Sequence, residues 1–317
     1  SMFTIQAAVT VVTAALASYI FDSSWSILIW SIIITAICTA ILILGKYQLL
    51  DKVMKVIVAT LTISTLFAVS FAFFDTNEAI KMTQIIPTDS AGIAFLIAFM
   101  GWMPAPLDIS IWHSLWSLEK AKEGVITEKS AVFDFNVGYA GTIVVGACFI
   151  GLGTFVMYHS GITFSTNGTQ FAKQLIDMYT KSLGHWAFWI IGVAALTTMF
   201  STTLTTLDAS PRAMARTSEL LAGRNIKFGY GVWLVFLIVG TCCILAWLTS
   251  EMGTLIMLAT ILSFLSAPFY AYANYRAMTS SEIPESARPG KGLKLLSLIS
   301  IVLLIAFSIW YLTTLLS

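Results

Sequence analysis

Apolar residues run along the chain in nine long stretches, at about 5–21, 25–45, 53–74, 91–118, 134–158, 184–207, 228–249, 253–275 and 293–316, with the polar residues gathered between them. Each reaches the roughly 17–25 residues that a helix needs to cross a bilayer. Transmembrane strands would instead alternate apolar and polar residues in segments of about ten, and these runs are continuous. The pattern predicts an all-α membrane protein in which residues 1–317 form a single polytopic domain. Only residues 22–25 separate the first two stretches. Between the fifth and sixth, Phe171, Leu175, Ile176 and Tyr179 recur at helical spacing, which predicts a short amphipathic helix over 170–182 lying at the membrane surface.

Composition supports the pattern. The chain is 58% hydrophobic and 10% charged, against about 25% charged in a soluble domain. Its formal net charge of +1 makes nucleic acid an implausible partner. Charge placement says more than the sum. Fourteen of the 17 basic residues fall in the loops after the second, fourth, sixth and eighth stretches; Lys81, Lys173 and Lys181 lie on the other side. By the positive-inside rule the chain starts in the cytoplasm and ends outside, in a cell inner membrane. Cys38, Cys148, Cys242 and Cys243 all lie within spans without metal-motif spacing, so they read as packing residues. Residues 119–123 read as a charged cytoplasmic extension of the fourth helix, capped by Gly124. Asp134 and Asn136 read as the start of the fifth.

One span is interrupted. Pro104 and Pro106 stand inside the fourth stretch, with Asp108 just beyond them. Proline lacks an N–H and clashes with the preceding turn, so the pair should break the helix at mid-membrane. Irregular backbone at that depth is tolerated only inside protein or beside a watery cavity. An intramembrane carboxylate marks a candidate functional site, and a broken helix is how secondary transporters build ion and substrate sites. Unwound carbonyls from Met100 to Ala105 would supply hard oxygen ligands, and Met103 a thioether that favours transition metals. The alternatives are plain: Met100 and Met103 as core methionines, and Asp108 as the cap of the second half-helix. His113 reads either as a proton relay or as a satisfied core histidine.

The sixth stretch carries seven hydroxyls in the ten residues 197–206. Helical spacing places Ser201, Thr205 and Asp208 on one face, with Thr198 and Thr202 beside them. Hydroxyls can bond to carbonyls one turn back or tie helices together; this many suggest the wall of a polar pathway. Asp208, four residues before Arg212, reads as an inner-gate or terminal ion pair. In the eighth stretch Ser263, Ser266 and Pro268 mark a further kink. No nucleophile–base arrangement, Gly-rich phosphate loop or zinc-hydrolase spacing is present in the sequence, so an enzyme is not expected.

With these residues in view, the chain resembles the natural resistance-associated macrophage protein (Nramp) family of divalent-metal transporters, in a divergent bacterial branch. The resemblance rests on Gly101–Ser114, similar to the family's Met-Pro-His motif and the His-Ser pair after it. Residues 45–52 are similar to the step after the family's fourth helix, and the Thr-rich sixth stretch to its eighth. The resemblance implies a leucine-transporter-type inverted-repeat fold of about eleven helices. The nine stretches would be its third to eleventh, and the family's first two helices would be a partner to the site. It also implies Met103 as a metal ligand and a backbone carbonyl ligand near Met100. Ala105 stands where the motif histidine would be, and the first stretch has no acid where typical members carry a proton-pathway carboxylate.

The expected function is therefore secondary transport of a divalent metal, manganese, iron or magnesium, by alternating access, with proton symport as the implied coupling and no permanently bound cofactor. Met103, Met100, Ala105 and Asp108 are the candidate metal residues. Pro104, Pro106, His113, Thr202, Thr205 and Asp208 are the candidate pathway residues. Two rivals remain: an organic-solute or amino-acid transporter of the same fold, and a non-transporting membrane subunit.

Overall fold

The structure, a computed structural model, describes residues 2–44, 47–75, 87, 89–103, 106–123, 127–158, 165–248 and 252–316. Among these, all regular structure is helical: α1 (Met2–Ile20), α2 (Ile27–Leu44), α3 (Tyr47–Asp75), α4 (Ser90–Trp102), α5 (Ile109–Glu123), α6 (Glu128–Leu152), α7 (Gly168–Leu183), α8 (Ala187–Ala222), α9 (Gly229–Leu248), α10 (Met252–Thr279) and α11 (Lys291–Leu316). Seven described helices are long and apolar enough to cross a membrane. The shorter apolar helices Val58–Phe74 and Gly92–Trp102 fall in the third and fourth predicted stretches. Large side chains such as Phe133, Val144, Val235, Phe269 and Leu303 are exposed. That surface suits lipid rather than water, and the molecule is an all-α membrane protein.

The chain divides into two compact units. Residues 2–81 and 132–256 make one; residues 82–131 and 257–317 make the other.

In the larger unit, α1 is the central element. Its Ala-, Val- and Thr-rich sequence lets neighbours approach closely, as small residues do between membrane helices. It packs on α2, α7, α8 and α9. Ala7, Ala8, Val11, Ala14, Ala15 and Leu16 are wholly buried, and Val11 and Leu16 meet Ile176, Leu245 and Met252 in one core. The amphipathic helix forms as α7. Asn167 caps it by accepting from the Gln170 N–H at 3.2 Å, and Gly184 at φ 94° ends it. Its apolar face does not lie on lipid: Ala172, Ile176, Met178 and Tyr179 are buried against protein, α7 packing on α1, α3 and α8. The Tyr179 hydroxyl meets Thr65 Oγ1 at 3.0 Å.

Two boundaries differ from the sequence reading for local reasons. α6 starts at Glu128, ahead of Asp134, because Thr127 Oγ1 accepts from the Ser130 N–H at 3.2 Å and caps it early. α8 continues past residue 207, through Pro211, to Ala222. Its 36 residues extend about 54 Å at 1.5 Å each, well beyond a hydrocarbon core of about 30 Å.

In the smaller unit, Asp89 caps α4 by accepting from the Gly92 N–H at 2.9 Å. Ile93 and Ile97 of α4 pack with Phe264 of α10 and Tyr311 of α11. This packing fixes the ground on which the break is built.

Candidate functional site

The predicted break is present. The last helical bond of α4 runs from Met103 N–H to the Phe99 carbonyl at 3.0 Å, and Met103 itself turns extended at φ −110°, ψ 122°. Helix resumes at Ile109, whose N–H donates to the Pro106 carbonyl at 3.1 Å, while the Ile111 N–H donates to the Asp108 carbonyl at 3.0 Å. Carbonyls of Met100 and Trp102 would take helical bonds from residues 104 and 106, which are prolines without an N–H. Pro104 and Ala105 lie outside the described residues.

Asp108 closes the turn that leads into α5. It is half-buried, and its Oδ1 is buried with no hydrogen bond from any described residue. A buried carboxylate oxygen without a donor is costly. Met103 is half-buried at the end of α4. Met100 packs against the Ile93–Ile97–Phe264–Tyr311 cluster, so its side chain serves the core and only its carbonyl remains a candidate. His113 stands exposed on α5, its ring edge-on to Trp116 at 6.2 Å.

Both sides of the break are gripped by α10. A Cβ at Gly101 would come within 2.1 Å of the Thr260 carbonyl oxygen, so α4 and α10 touch through backbone there. Trp102 Nε1 donates to Ser263 Oγ at 3.1 Å, and Asn274 Nδ2 donates to Ser110 Oγ at 2.9 Å. In the sequence Ser263 reads only as part of a kink, and Thr260 and Asn274 receive no role. A signal was available, since Thr260, Ser263 and Asn274 share one helical face. A cavity of about 460 Å³ lies between Leu107, Asn274 and the α11 residues Ile301 and Leu304; its largely apolar wall suits hydrocarbon rather than a hydrated ion. Among the described residues no three His, Cys, Asp or Glu side chains gather. A cation at the break would rest on one carboxylate, a thioether and backbone carbonyls.

The larger unit holds the other candidates. Thr202 and Thr205 are half-buried, and Thr202 Oγ1 donates to the Thr198 carbonyl at 3.0 Å. The most buried hydroxyls of α8 tie helices together. Thr206 Oγ1 donates to Gln6 Oε1 at 2.6 Å, Gln6 Nε2 donates to the Thr203 carbonyl at 3.3 Å, and Thr13 and Thr203 hydroxyls meet at 2.8 Å. The pathway-wall reading therefore does not extend to Thr203 and Thr206. Asp208 forms the expected pair with Arg212, whose Nε donates to Oδ2 at 2.8 Å. It also gains a bond the sequence did not signal, from the Tyr230 hydroxyl to Oδ1 at 2.9 Å. The Arg212 guanidinium lies 5.3 Å from the centre of the Tyr230 ring.

A many-helix membrane protein with one helix broken beside a half-buried carboxylate has the build of a transporter. Comparison with known proteins agrees. Residues 2–314 match the family described as natural resistance-associated macrophage protein-like. An uncharacterized protein of Pasteurella multocida strain Pm70 is 32% identical over 311 residues, covering 96% of this chain and 71% of the relative. The chain belongs to the Nramp family, and with it to the metal-ion transporters of the membrane.

Proposed function

We propose that the protein is a secondary transporter that moves divalent metal cations, of the manganese, iron or magnesium class, inward across the bacterial inner membrane by alternating access. The observation that carries this reading is the buried Asp108 Oδ1 at the break between α4 and α5, which takes no hydrogen bond from any described residue. A divalent cation would satisfy that oxygen, and the carbonyls freed by Pro104 and Pro106 would complete part of its shell. Met103, at the mouth of the same break, would add the soft ligand that separates transition metals from magnesium and calcium.

Thr202, Thr205 and Asp208 would line the inner path, with Asp208 held by Arg212 and Tyr230. Protons are the candidate coupling ion. His113 is exposed on α5, a position from which it would exchange protons with the surroundings. The loop charges put the first residue in the cytoplasm and the last outside.

Uptake by the complete protein in proteoliposomes tests the reading. Asp108→Asn keeps the shape and removes the charge, and manganese uptake should fall by about tenfold or more, at least the loss seen when a supporting metal-site residue is removed. Wild-type uptake with that variant would reduce Asp108 to a helix cap.

A further inference from the structure

We propose that Asn274 is a positioning residue for Asp108, acting through Ser110. The inference rests on the reading of Asp108 as the cation-binding carboxylate. Asp108 lies between Leu107 and Ser110 in the single turn that starts α5, and that turn is drawn together by two bonds to one acceptor. Ser110 Oγ donates to the Leu107 carbonyl at 2.7 Å, and the Ser110 N–H donates to the same oxygen at 3.3 Å. The hydroxyl needs its own proton for that bond, so it has only lone pairs to offer a neighbour. Asn274 Nδ2 takes one of them at 2.9 Å. The resulting chain, amide to hydroxyl to carbonyl, polarises in one direction, and each bond strengthens the next.

The chain starts on a different helix from the one it positions. α4 and α5 are separated by the break, so no continuous helical ladder sets the rotation of the α5 first turn, and therefore the direction of the Asp108 side chain. α10 supplies that reference. Ser263 holds Trp102 on the near side of the break, and Asn274 holds Ser110 on the far side. The eleven residues from Ser263 to Asn274 are three helical turns, about 16 Å, so both grips come from one face of one helix. Among the described residues the hydrogen bond of Asn274 goes to Ser110 Oγ and not to a candidate ligand atom, so its effect passes through Ser110 and the Leu107 carbonyl. A hydrogen bond that merely glues helices would move stability and leave cation affinity alone. A positioning bond would move affinity and leave stability nearly unchanged.

The test is manganese(II) uptake by the complete protein in proteoliposomes, with KM and maximal rate separated and thermal unfolding followed in parallel. Asn274→Ala and Ser110→Ala should each raise KM roughly five- to tenfold, the range expected for one buried hydrogen bond. The double variant should be no worse than either single one, because both break the same chain. Ser110→Thr, which keeps the hydroxyl, should restore the wild-type KM. Multiplying losses in the double variant, or a lower unfolding temperature with unchanged KM, would overturn the positioning role. Asp108→Asn run alongside separates the two ideas. If it keeps wild-type uptake, the cation-site reading itself falls; if it loses uptake while Asn274→Ala keeps the wild-type KM, only the positioning role falls.

Discussion

At Gly101 an added methyl would meet the Thr260 carbonyl oxygen at 2.1 Å and the Phe264 Cβ at 3.3 Å. The first contact is with backbone, which cannot rotate away as a side chain would. Gly101→Ala should therefore push α4 off α10 at a cost of about 1–3 kcal/mol, the usual price of overpacking, and should lower both thermal stability and uptake. Unchanged stability would show that the two helices separate more easily than this contact implies. Met103→Ala should shift uptake preference from manganese toward magnesium or calcium, as competition between the ions would reveal; an unchanged preference would remove the thioether from the site. Met103 and Asp108 were legible in the sequence because two prolines announced the break beside them. Thr260 and Asn274 share a helical face with Ser263, but which helix that face meets could not be read from the sequence. Met100 is a different case. Its motif position suggested a backbone carbonyl ligand, a reading that the packing of its side chain in the core leaves open.

Among the helices, the contact of α1 with α8 is held by a chain of polar groups in which Gln6, Thr13 and Thr203 are wholly buried. Gln6→Ala would leave Thr206 without that acceptor and the Thr203 carbonyl without that donor. Thr206 Oγ1 would still reach the Thr202 carbonyl at 3.0 Å, so the cost is that of two lost hydrogen bonds, about 0.5–1.5 kcal/mol each, and the variant should unfold at a lower temperature in detergent; an unshifted transition would mean that water enters and replaces the amide. The hydroxyl-rich run 197–206 was easy to see, but its division of labour was not. Helical spacing grouped Ser201, Thr205 and Asp208, whereas burial depends on α1, which the sequence presents only as another apolar stretch. α7 followed the same logic. Its apolar spacing predicted the helix, and only the structure showed the Asn167 cap and the protein covering its face.

For the molecule as a whole, the fourteen-to-three division of basic residues predicts orientation without reference to any contact. A cysteine introduced at Ser281, between α10 and α11, should react with a membrane-impermeant reagent only from the cytoplasmic side, and one at Thr166, ahead of α7, only from outside; the reverse pattern would invert the assignment of loops. The helical class and the membrane setting were readable because bilayer thickness fixes the length of each apolar run. The two-unit division was hidden, because it joins residues 82–131 to residues 257–317 across more than a hundred intervening positions. The central claim is that the broken helix carries a cation on the Asp108 carboxylate. The most direct measurement compares manganese uptake by wild-type and Asp108→Asn protein in the same vesicles, with thermal unfolding as a control for folding. Uptake by the variant should fall about tenfold or more with unfolding unchanged; equal uptake rates would mean that the carboxylate carries no cation.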